Sequence, residues 1–417
     1  MVLWAAKKGI QVLATGDWTH PVWFLELKNK LVQAENGLYR LKQIADSSQQ
    51  SARQEVYFLL STEISSIYTQ GGKQRRIHNL VFVPDLATAE KINKQLENSG
   101  ANLKSDGRPI IGMSAKDLVK LVLDVDSRSL IIPAHAWTPW FSIFGSQSGF
   151  DTIEECFGEM SDYIFAIETG LSSDPAMNWR VGNLDGKQIL SFSDAHSLEK
   201  LAREATVFEG ELSYDGIYQA ITNQRTKNNE QRTKIAFTIE FHPEEGKYHY
   251  TGHRNCGVKH SPEDSAKLGT TCPICGKKLT VGVMHRVEEL ATKTVDDLKL
   301  VSNDFVKSAT QPFRPPYKMF VPLAEIIAQS LEISENSKEV SANYDNLISQ
   351  FGSELAVLLK VTPSELAGKT TDRIIAGIEK VRKGKIAVDP GFDGVYGKVQ
   401  IWPEGETQQE SSQMALF

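Results

Sequence analysis

The chain of 417 residues is longer than one ordinary hydrophobic core requires, and this length predicts two or three domains. Its 41% hydrophobic and 24% charged residues are typical of a soluble globular protein. The sequence has neither an apolar run near the roughly 20 residues that span a bilayer nor a cleavable signal peptide, so we expect a cytoplasmic protein without membrane contacts. A net charge of −6 argues against an indiscriminate nucleic-acid binder, although acidic metal ligands would themselves lower the charge.

The first part of the chain, residues 1–225, alternates short apolar segments with amphipathic ones. Strands are predicted at residues 9–16, 56–61, 79–83, 129–133, 163–167 and 189–193, and helices at residues 86–99 and 115–123. Continuous apolar strands separated by helices are typical of a parallel sheet covered on both faces. We therefore predict an α/β fold that can close into a barrel, with its active site at the C-terminal ends of the strands.

Acidic and imidazole side chains occur near the ends of most of these strands. They are Asp17, His20, Glu63, His78, His135, Glu168, Asp194 and His196. Any one of them alone would be interpreted as a capping or hydrogen-bonded loop residue, but in a barrel the strand ends converge on one mouth. Several carboxylates that face one another there would repel, and divalent cations remove that repulsion.

These residue types also indicate the chemistry of the site. The candidate cations are Zn²⁺, Mn²⁺, Fe²⁺ and Mg²⁺, of which mixed imidazole and carboxylate ligands suit the first three best. Neighbouring cations activate water and hold the attacking and leaving oxygens of a phosphodiester. We assign as metal ligands Asp17, His20, Glu63, His78, His135, Asp194 and His196. Glu168 would instead hold a ligand or a water. Asp194 is alternatively the general base.

A second, separate metal site is predicted within residues 226–300. His253 and Cys256 form one pair of ligands, and Cys272 and Cys275 form another, each with the two-residue spacing of zinc knuckles. His260 is the competing fourth ligand. A closed site with four protein ligands is structural, because it leaves no position open for a substrate. Its zinc would stabilise a module that is too small to have a sufficient core.

The remainder of the chain is predicted to be mostly helical. Residues 301–400 carry helical apolar spacing at 323–331 and at 371–381, and they end with a Gly-rich segment at 391–398. Glycines let backbone N–H groups approach phosphates closely, although ordinary turns are the alternative interpretation. Residues 401–417 form a polar tail that we expect to be disordered.

Several segments resemble one known family. Ser-Asp-Ala-His at residues 193–196 is similar to the last metal motif of the polymerase-and-histidinol-phosphatase (PHP) domain. Three segments resemble endonuclease Q, a PHP-domain DNA repair nuclease: Thr-Gly-Asp-Trp-Thr-His-Pro at 15–21, Pro-Ala-His-Ala-Trp-Thr-Pro-Trp at 133–140 and Glu-Thr-Gly-Leu-Ser-Ser-Asp-Pro at 168–175. Met-His-Arg-Val-Glu-Glu-Leu at 284–290, after the zinc module, does so as well.

The resemblance implies a PHP-type (β/α)7 barrel, followed by a zinc-binding module and a mostly helical, DNA-binding C-terminal domain. It implies an enzyme that hydrolyses the phosphodiester on the 5′ side of uracil, hypoxanthine, xanthine or an abasic site in double-stranded DNA. Catalysis would involve Asp194, His196 and Glu168.

Enzymes that act on single bases flip the damaged nucleotide out of the stack, which requires a pocket. By position, the candidates for that pocket and for DNA contact are Trp137, Trp140, Ser172 and Asn178. For the two tryptophans, anchoring of the loop by hydrophobic contact is the alternative.

One family feature is not found in this sequence. PHP domains begin with a strand that carries a His-x-His metal motif, and no such motif precedes residues 9–13 here. We therefore expect an N-terminally incomplete barrel with exposed strand edges. Either the start was placed too late, which is the preferred explanation, or this metal site has been lost and activity with it.

The last five residues, Gln-Met-Ala-Leu-Phe at 413–417, resemble the motif by which bacterial DNA enzymes dock on the replication sliding clamp. Gln413 would be a polar anchor beside Met414, while Leu416 and Phe417 would enter an apolar pocket. The expected partners are thus double-stranded DNA and the sliding clamp.

Two other functions are compatible with the same residues. A small-molecule phosphatase could use the same barrel, but the zinc module, the helical domain and the tail would have no obvious use in it. A catalytically inactive DNA- or clamp-binding protein is the alternative from a different class.

Overall fold

This computed structural model describes residues 1–42, 55–223, 232–294, 298–301 and 305–403, with the backbone alone for residues 298–301. The strands are β1 (Val12–Ala14), β2 (Leu31–Gln33), β3 (Tyr39–Leu41), β4 (Tyr57–Gln70), β5 (Lys73–Val83), β6 (Ile110–Ile111), β7 (Leu130–Pro133), β8 (Ala166–Glu168), β9 (Gln188–Leu190), β10 (Ala205–Glu209), β11 (Lys234–Glu240), β12 (Thr251–His253), β13 (Val258–His260), β14 (Leu298–Val301), β15 (Phe305–Ser308), β16 (Tyr317–Met319), β17 (Ala387–Asp389) and β18 (Lys398–Gln400).

The helices follow the same chain order. They are α1 (Val2–Lys8), α2 (Pro21–Lys30), α3 (Leu86–Asn98), α4 (Ala115–Val125), α5 (Ile153–Phe157), α6 (Pro175–Trp179), α7 (Tyr214–Thr222), α8 (Pro262–Leu268), α9 (Val283–Leu290), α10 (Leu323–Leu331), α11 (Lys338–Phe351), α12 (Glu354–Leu359), α13 (Pro363–Leu366) and α14 (Asp372–Arg382). The predicted tail motif at 413–417 lies outside the described residues.

The longest strands, β4 and β5, form an antiparallel hairpin that belongs to a seven-stranded sheet. Gly71 and Gly72 make its two-residue loop, with φ angles of 62° and 73°, which is the geometry that a tight hairpin turn requires. β5 also pairs antiparallel with β7, whereas β1 and β6 pair parallel with β4. The prediction of a parallel sheet is therefore wrong here, because the two apolar segments at 56–61 and 79–83 are joined by a hairpin and not by a crossover helix.

A second sheet combines parts of the chain that the sequence assigned to separate domains. Its five strands have the order β10-β11-β16-β15-β14. β10, from the first predicted unit, pairs antiparallel with β11, and β11 pairs parallel with β16 from the third unit. Strands from all three predicted units therefore share one sheet, and the domain bounds at residues 225 and 300 stay a prediction. The other described strands form three two-stranded sheets. A closed (β/α)7 barrel stays a prediction.

The largest core forms where α3 and α4 pack on the seven-stranded sheet. Each helix begins at a side-chain cap, since Asp85 accepts a hydrogen bond from Thr88 N and Ser114 accepts one from Asp117 N. Their apolar residues recur on one face, as predicted for amphipathic helices. The buried members of this core in the two helices are Ala89, Ile92, Leu96, Ala115, Leu118, Val119 and Val122.

A second core lies in the C-terminal helices. It is made largely by α10, α11, α12 and α14, which pack against one another. α10 and α14 confirm the helices predicted at 323–331 and 371–381 within one residue at each end.

A buried ion pair joins α1 to this helical core. Lys8 Nζ lies 2.5 Å from Glu354 Oε2, and both side chains are almost fully buried. Glu354 also accepts hydrogen bonds from the Tyr344 hydroxyl at 2.8 Å and from Leu323 N at 3.0 Å. Glu354 therefore joins Lys8 of α1 to Tyr344 and Leu323 of the C-terminal helices.

Among the described residues, no helix combines the length and the apolar character that crossing a bilayer would require.

We expect Lys8→Ala to lower the free energy of unfolding by about 3 kcal/mol, because it leaves the Glu354 carboxylate buried without its cation. Lys7→Ala is the matched control, since Lys7 lies on the same helix and pairs with Asp345 in solvent. Its loss should cost about 1 kcal/mol or less. Urea denaturation followed by circular dichroism measures both, and equal effects would show that the buried pair contributes nothing special.

Candidate metal centres

Three adjacent strands bring Glu63, His78 and His135 together. Glu63 on β4 faces Leu80, and His78 on β5 faces Ser65, so that the two side chains are diagonal neighbours on the same face of the sheet. His135 follows β7, whose end is fixed beside β5 by the hydrogen bond from Ala134 N to His78 O at 3.0 Å. The sequence had suggested that Glu63 and His78 lie at strand ends. In the structure, both lie inside long strands.

The three side chains form a compact cluster. Glu63 Oε1 lies 2.6 Å from His78 Nδ1 and 3.3 Å from His135 Nε2, and the two imidazole nitrogens are 3.2 Å apart. One ligand atom from each residue lies within 4.8 Å of the others. One carboxylate oxygen and two imidazole nitrogens that converge in this way fit a divalent cation such as Zn²⁺.

Three further acidic residues surround this cluster. Asp17 follows β1, and a side chain at Gly107 would approach its carboxylate to 2.6 Å, so the glycine is required for close approach. Glu168 ends β8 and accepts a hydrogen bond from His135 N at 2.7 Å. Asp194 lies close enough to act on the pKa values of His135 and Glu168.

The backbone at these positions is strained. Asp17, His135 and Asp194 all have positive φ angles, of 50°, 32° and 42°. Residues other than glycine adopt this region rarely and at a cost, and such strain is concentrated at functional sites. The surrounding contacts therefore hold the three predicted ligands in backbone conformations that are unfavourable in isolation.

Electrostatics at the site follow from burial and from these contacts. Burial opposes ionisation of Glu63, yet its bonds to His135 and His78 hold the pKa of the carboxyl well below its usual range. Burial raises the pKa of Glu168 to about 8 against the opposing effect of His135. Burial, Asp106 and Glu63 together raise the pKa of Asp17. A cation would relieve this crowding of carboxylates.

The two remaining predicted ligands lie at the edge of the site. His20 is the N-cap residue of α2 and acts electrostatically on Asp17. His196 has a side chain that is 83% exposed, with Nε2 3.5 Å from Asp194 Oδ1. Neither belongs to the cluster of Glu63, His78 and His135, and their role as ligands stays a prediction.

One charged neighbour was missed by the sequence analysis. Arg108 Nη1 lies 3.3 Å from Glu63 Oε2, on the side of the carboxylate that faces away from the imidazoles. The segment Asp106-Gly107-Arg108 looks like an ordinary turn, and only the parallel pairing of β6 with β4 brings it to the site.

A cavity of about 2070 Å³ opens in front of the cluster. Asp17, Glu63, His135, Glu168 and Asp194 all line it. Residues of β1 and β10 line it as well, and apolar side chains of the sheet form much of its wall. The candidate ligands are therefore accessible from solvent through a wide opening.

The four candidates for the base pocket fall into two groups. Trp137 and Asn178 are fully buried, and the indole N–H of Trp137 donates to Asn178 Oδ1 at 2.7 Å. This bond ties the loop after His135 to α6, and a role of the two residues in the base pocket stays a prediction. Trp140 is 37% exposed and Ser172 is partly exposed, so both are available to a ligand.

The second cluster contains the predicted zinc ligands. His253, Cys256, Cys272 and Cys275 each offer a ligand atom within 4.8 Å of the others, and Cys275 Sγ lies 3.4 Å from His253 Nδ1. The cluster includes His253 and not His260, which decides between the two candidates for the fourth ligand. Three thiols and one imidazole at this spacing fit Zn²⁺ in a closed, structural site.

Local backbone structure prepares the thiols for a cation. Gly257 follows Cys256 in the left-handed conformation, with φ of 64°, and turns the chain after the first ligand pair. Burial opposes ionisation of Cys272, but the backbone amides of Cys275 and Ile274 and the His253 imidazole lower its pKa to about 6. A thiolate is the form that binds zinc.

Together, the fold and the two clusters define a mixed α/β protein with a carboxylate–imidazole centre in a wide cavity and a separate Cys3His site. Two solved structures match this fold over nearly the whole chain. The crystal structure of PfuEndoQ from Pyrococcus furiosus, a lesion-specific endonuclease, matches with a TM-score of 0.79 and 27% identity, covering 100% of this chain and 93% of that one. A structure of endonuclease Q in complex with a 27-mer duplex carrying an abasic lesion at its active site matches with a TM-score of 0.79 and 28% identity, covering 99% and 93%.

Sequence comparisons extend this relationship. Residues 322–385 match the family described as the MJ0043 C-terminal domain. The uncharacterized protein YqxK of Bacillus subtilis is 29% identical over 395 residues, 94% of this chain and 89% of that protein. The uncharacterized protein MJ0043 of Methanocaldococcus jannaschii is 33% identical over 272 residues, which are 65% of this chain; the match spans about a third of MJ0043, or 32% of its length. The chain is thus similar to endonuclease Q over its whole length.

We expect the purified protein to hold about one zinc per chain that resists dialysis. Cys272→Ser should abolish this zinc and lower the melting temperature, because the site contributes directly to folding. Cys156→Ser is the control: Cys156 is buried outside the cluster, and this variant should keep its zinc. Metal analysis beside thermal denaturation measures both, and a Cys272→Ser protein that retains zinc would contradict the assignment.

Proposed function

We propose that this chain is a metal-dependent DNA repair endonuclease. It hydrolyses the phosphodiester on the 5′ side of deaminated bases (uracil, hypoxanthine, xanthine) or of abasic sites in double-stranded DNA. The observation that carries this proposal is the match of the whole chain to endonuclease Q bound to a duplex with an abasic lesion at its active site. The cluster of Glu63, His78 and His135 in an open cavity supports it with a centre suited to that chemistry.

The chain's own residues divide the work in this proposal. Glu63, His78 and His135 would hold a divalent cation, with Asp17, His20, Asp194 and His196 as the further ligands. A bound cation would supply an activated water and a clamp on the phosphate oxygens. Glu168 keeps His135 in place through the hydrogen bond from His135 N. Asp194, if it is not a ligand, would accept the proton of the attacking water.

Selection of the damaged nucleotide would take place at the loops after His135 and Glu168. Trp140 and Ser172 are accessible and are the direct contacts that we propose for the lesion. Trp137 and Asn178 support them from below through their mutual hydrogen bond. The C-terminal helices and the zinc module would extend the contact with DNA.

The test is a nicking assay on 5′-labelled duplex DNA that carries one deoxyuridine or one abasic site, with Mn²⁺, Mg²⁺ or Zn²⁺ added. We expect a cut directly 5′ of the lesion. Asp194→Asn should lower the rate by about 10²–10⁴-fold, as loss of a general base or a ligand does. Asp215→Asn, at an exposed carboxylate on α7, should leave the rate unchanged.

Other outcomes point to other functions. Hydrolysis of p-nitrophenyl phosphate without any nicking would replace the nuclease by a small-molecule phosphatase. Inactivity towards both substrates, with DNA binding retained, would indicate a binding protein.

We also propose that residues 413–417 dock on a bacterial sliding clamp. Deletion of these five residues should abolish binding to the clamp in surface plasmon resonance, because Leu416 and Phe417 are the apolar anchors. Nicking of free DNA should be unaffected. Scrambling the polar residues 408–412 is the control, and clamp binding that survives the deletion would contradict the motif.

A further inference from the structure

The loop between β17 and β18 is fixed at several points. Gly391 N donates to Glu244 O at 2.8 Å, and Gly394 N donates to Lys247 O at 2.9 Å. Asp393 accepts hydrogen bonds from the Thr280 hydroxyl at 2.6 Å and from Arg254 N at 2.8 Å, and both donors belong to the zinc-binding region. The tip of this loop therefore has a defined conformation and not that of a free linker.

This fixed tip presents an aromatic ring to solvent. The side chain of Tyr396 is 66% exposed, and Lys247 Nζ lies 4.5 Å from its ring centroid. A cation over the face of the ring is attracted by the ring's quadrupole and restrains its orientation. An exposed tyrosine that is held in this way contributes little to the core and offers ring surface to a ligand.

Arg203 holds the loop that carries Asp194. Arg203 donates to the carbonyl oxygens of Ser193 and Asp194, both at 2.7 Å. Burial lowers the pKa of Arg203, while Glu204, Asp194 and Tyr396 oppose that shift. A guanidinium is therefore bonded directly to the candidate metal loop.

Further rings and cations continue from Tyr396 towards the other side of the site. Tyr248 follows Lys247 in the chain, and its ring lies 5.6 Å from that of Trp140 in an edge-to-face arrangement. Trp140 in turn lies in the loop after His135, where Thr138 donates to Trp140 O at 2.8 Å. We call these four residues the aromatic rim: Trp140, Tyr248, Lys247 and Tyr396.

We propose that Tyr396 is a stacking platform for the nucleobase that adjoins the phosphodiester held at the Glu63–His78–His135 cluster, and that Lys247 contacts the backbone phosphate of the same strand. The inference rests on the proposed function. Alternating aromatic rings and cations are the means by which proteins hold unpaired nucleic acid, since every base offers a face for stacking and every nucleotide a phosphate. A duplex whose stack is broken at a lesion exposes such a face next to the cut.

The experiment compares Tyr396→Ala, Tyr396→Phe and Tyr163→Ala, the last being an exposed tyrosine outside the rim. Each is titrated against a duplex with one abasic site and 2-aminopurine as the base next to it. We expect Tyr396→Ala to weaken binding roughly ten-fold, the scale of one lost base–aromatic contact, and to abolish the quenching of 2-aminopurine. Tyr396→Phe and Tyr163→Ala should behave as the wild type does.

Salt dependence separates stacking from charge. Lys247→Gln should reduce the slope of log Kd against log salt by about one, because one phosphate contact is lost, whereas Tyr396→Ala should leave the slope unchanged. Melting temperature and zinc content confirm that each variant is folded.

Three results would overturn the inference. If Tyr396→Ala binds the duplex and quenches 2-aminopurine as the wild type does, Tyr396 is not a stacking platform. The proposed nuclease function is unaffected by that result as long as the wild type nicks the duplex. If the affinity of Tyr396→Phe for the duplex is as low as that of Tyr396→Ala, the effect comes from the hydroxyl and not from the ring. If the wild type neither binds nor nicks any lesion duplex, the proposed function and the platform fail together.

Discussion

The register of β4, β5 and β7 is the constraint on which the candidate metal centre depends. Side chains alternate between the two faces of a sheet, so a slip of one residue in the β4–β5 hairpin would turn Glu63 and His78 to opposite sides. The turn at Gly71 and Gly72 sets that register. Once it is set, a carboxylate and two imidazoles converge at the wall of the cavity, where they are largely buried. Their mutual bonds offset part of the cost of burial, and a cation would offset the rest.

The loops around this cluster are held by partners that come from distant parts of the chain. Asp17, His135 and Asp194 have strained backbones, which persist only where the surroundings impose them. For His135 the partner is the Glu168 carboxylate, and for Asp194 it is the Arg203 guanidinium.

The later parts of the chain complete the site and are not separate from it. The five-stranded sheet takes strands from all three predicted units. Arg286 of α9 donates to the carbonyl oxygens of Phe144 and Phe150. Glu288, also on α9, forms an ion pair with Arg180. These contacts set the zinc-binding region beside the cavity, and that region in turn fixes the loop that presents Tyr396. A change in the zinc-binding region would therefore reach the loop that presents Tyr396 through Asp393, which accepts hydrogen bonds from Arg254 N and the Thr280 hydroxyl.

The sequence by itself determined the features that depend on neighbours in the chain. The zinc ligand pairs, the capped helices α3 and α4, and the motifs at 15–21, 133–140 and 168–175 that indicated the family are all of this kind. The hairpin at Gly71 and Gly72 was not predicted, because the apolar segments at 56–61 and 79–83 favoured a crossover. Only the tertiary structure decided that His253 and not His260 joins the cysteines, that Trp137 and Asn178 are buried, and that Arg108 lies near the metal loops. The reason is physical: spacing along a helix or a turn fixes local geometry, whereas contacts across a sheet depend on which distant strands pair and in which register.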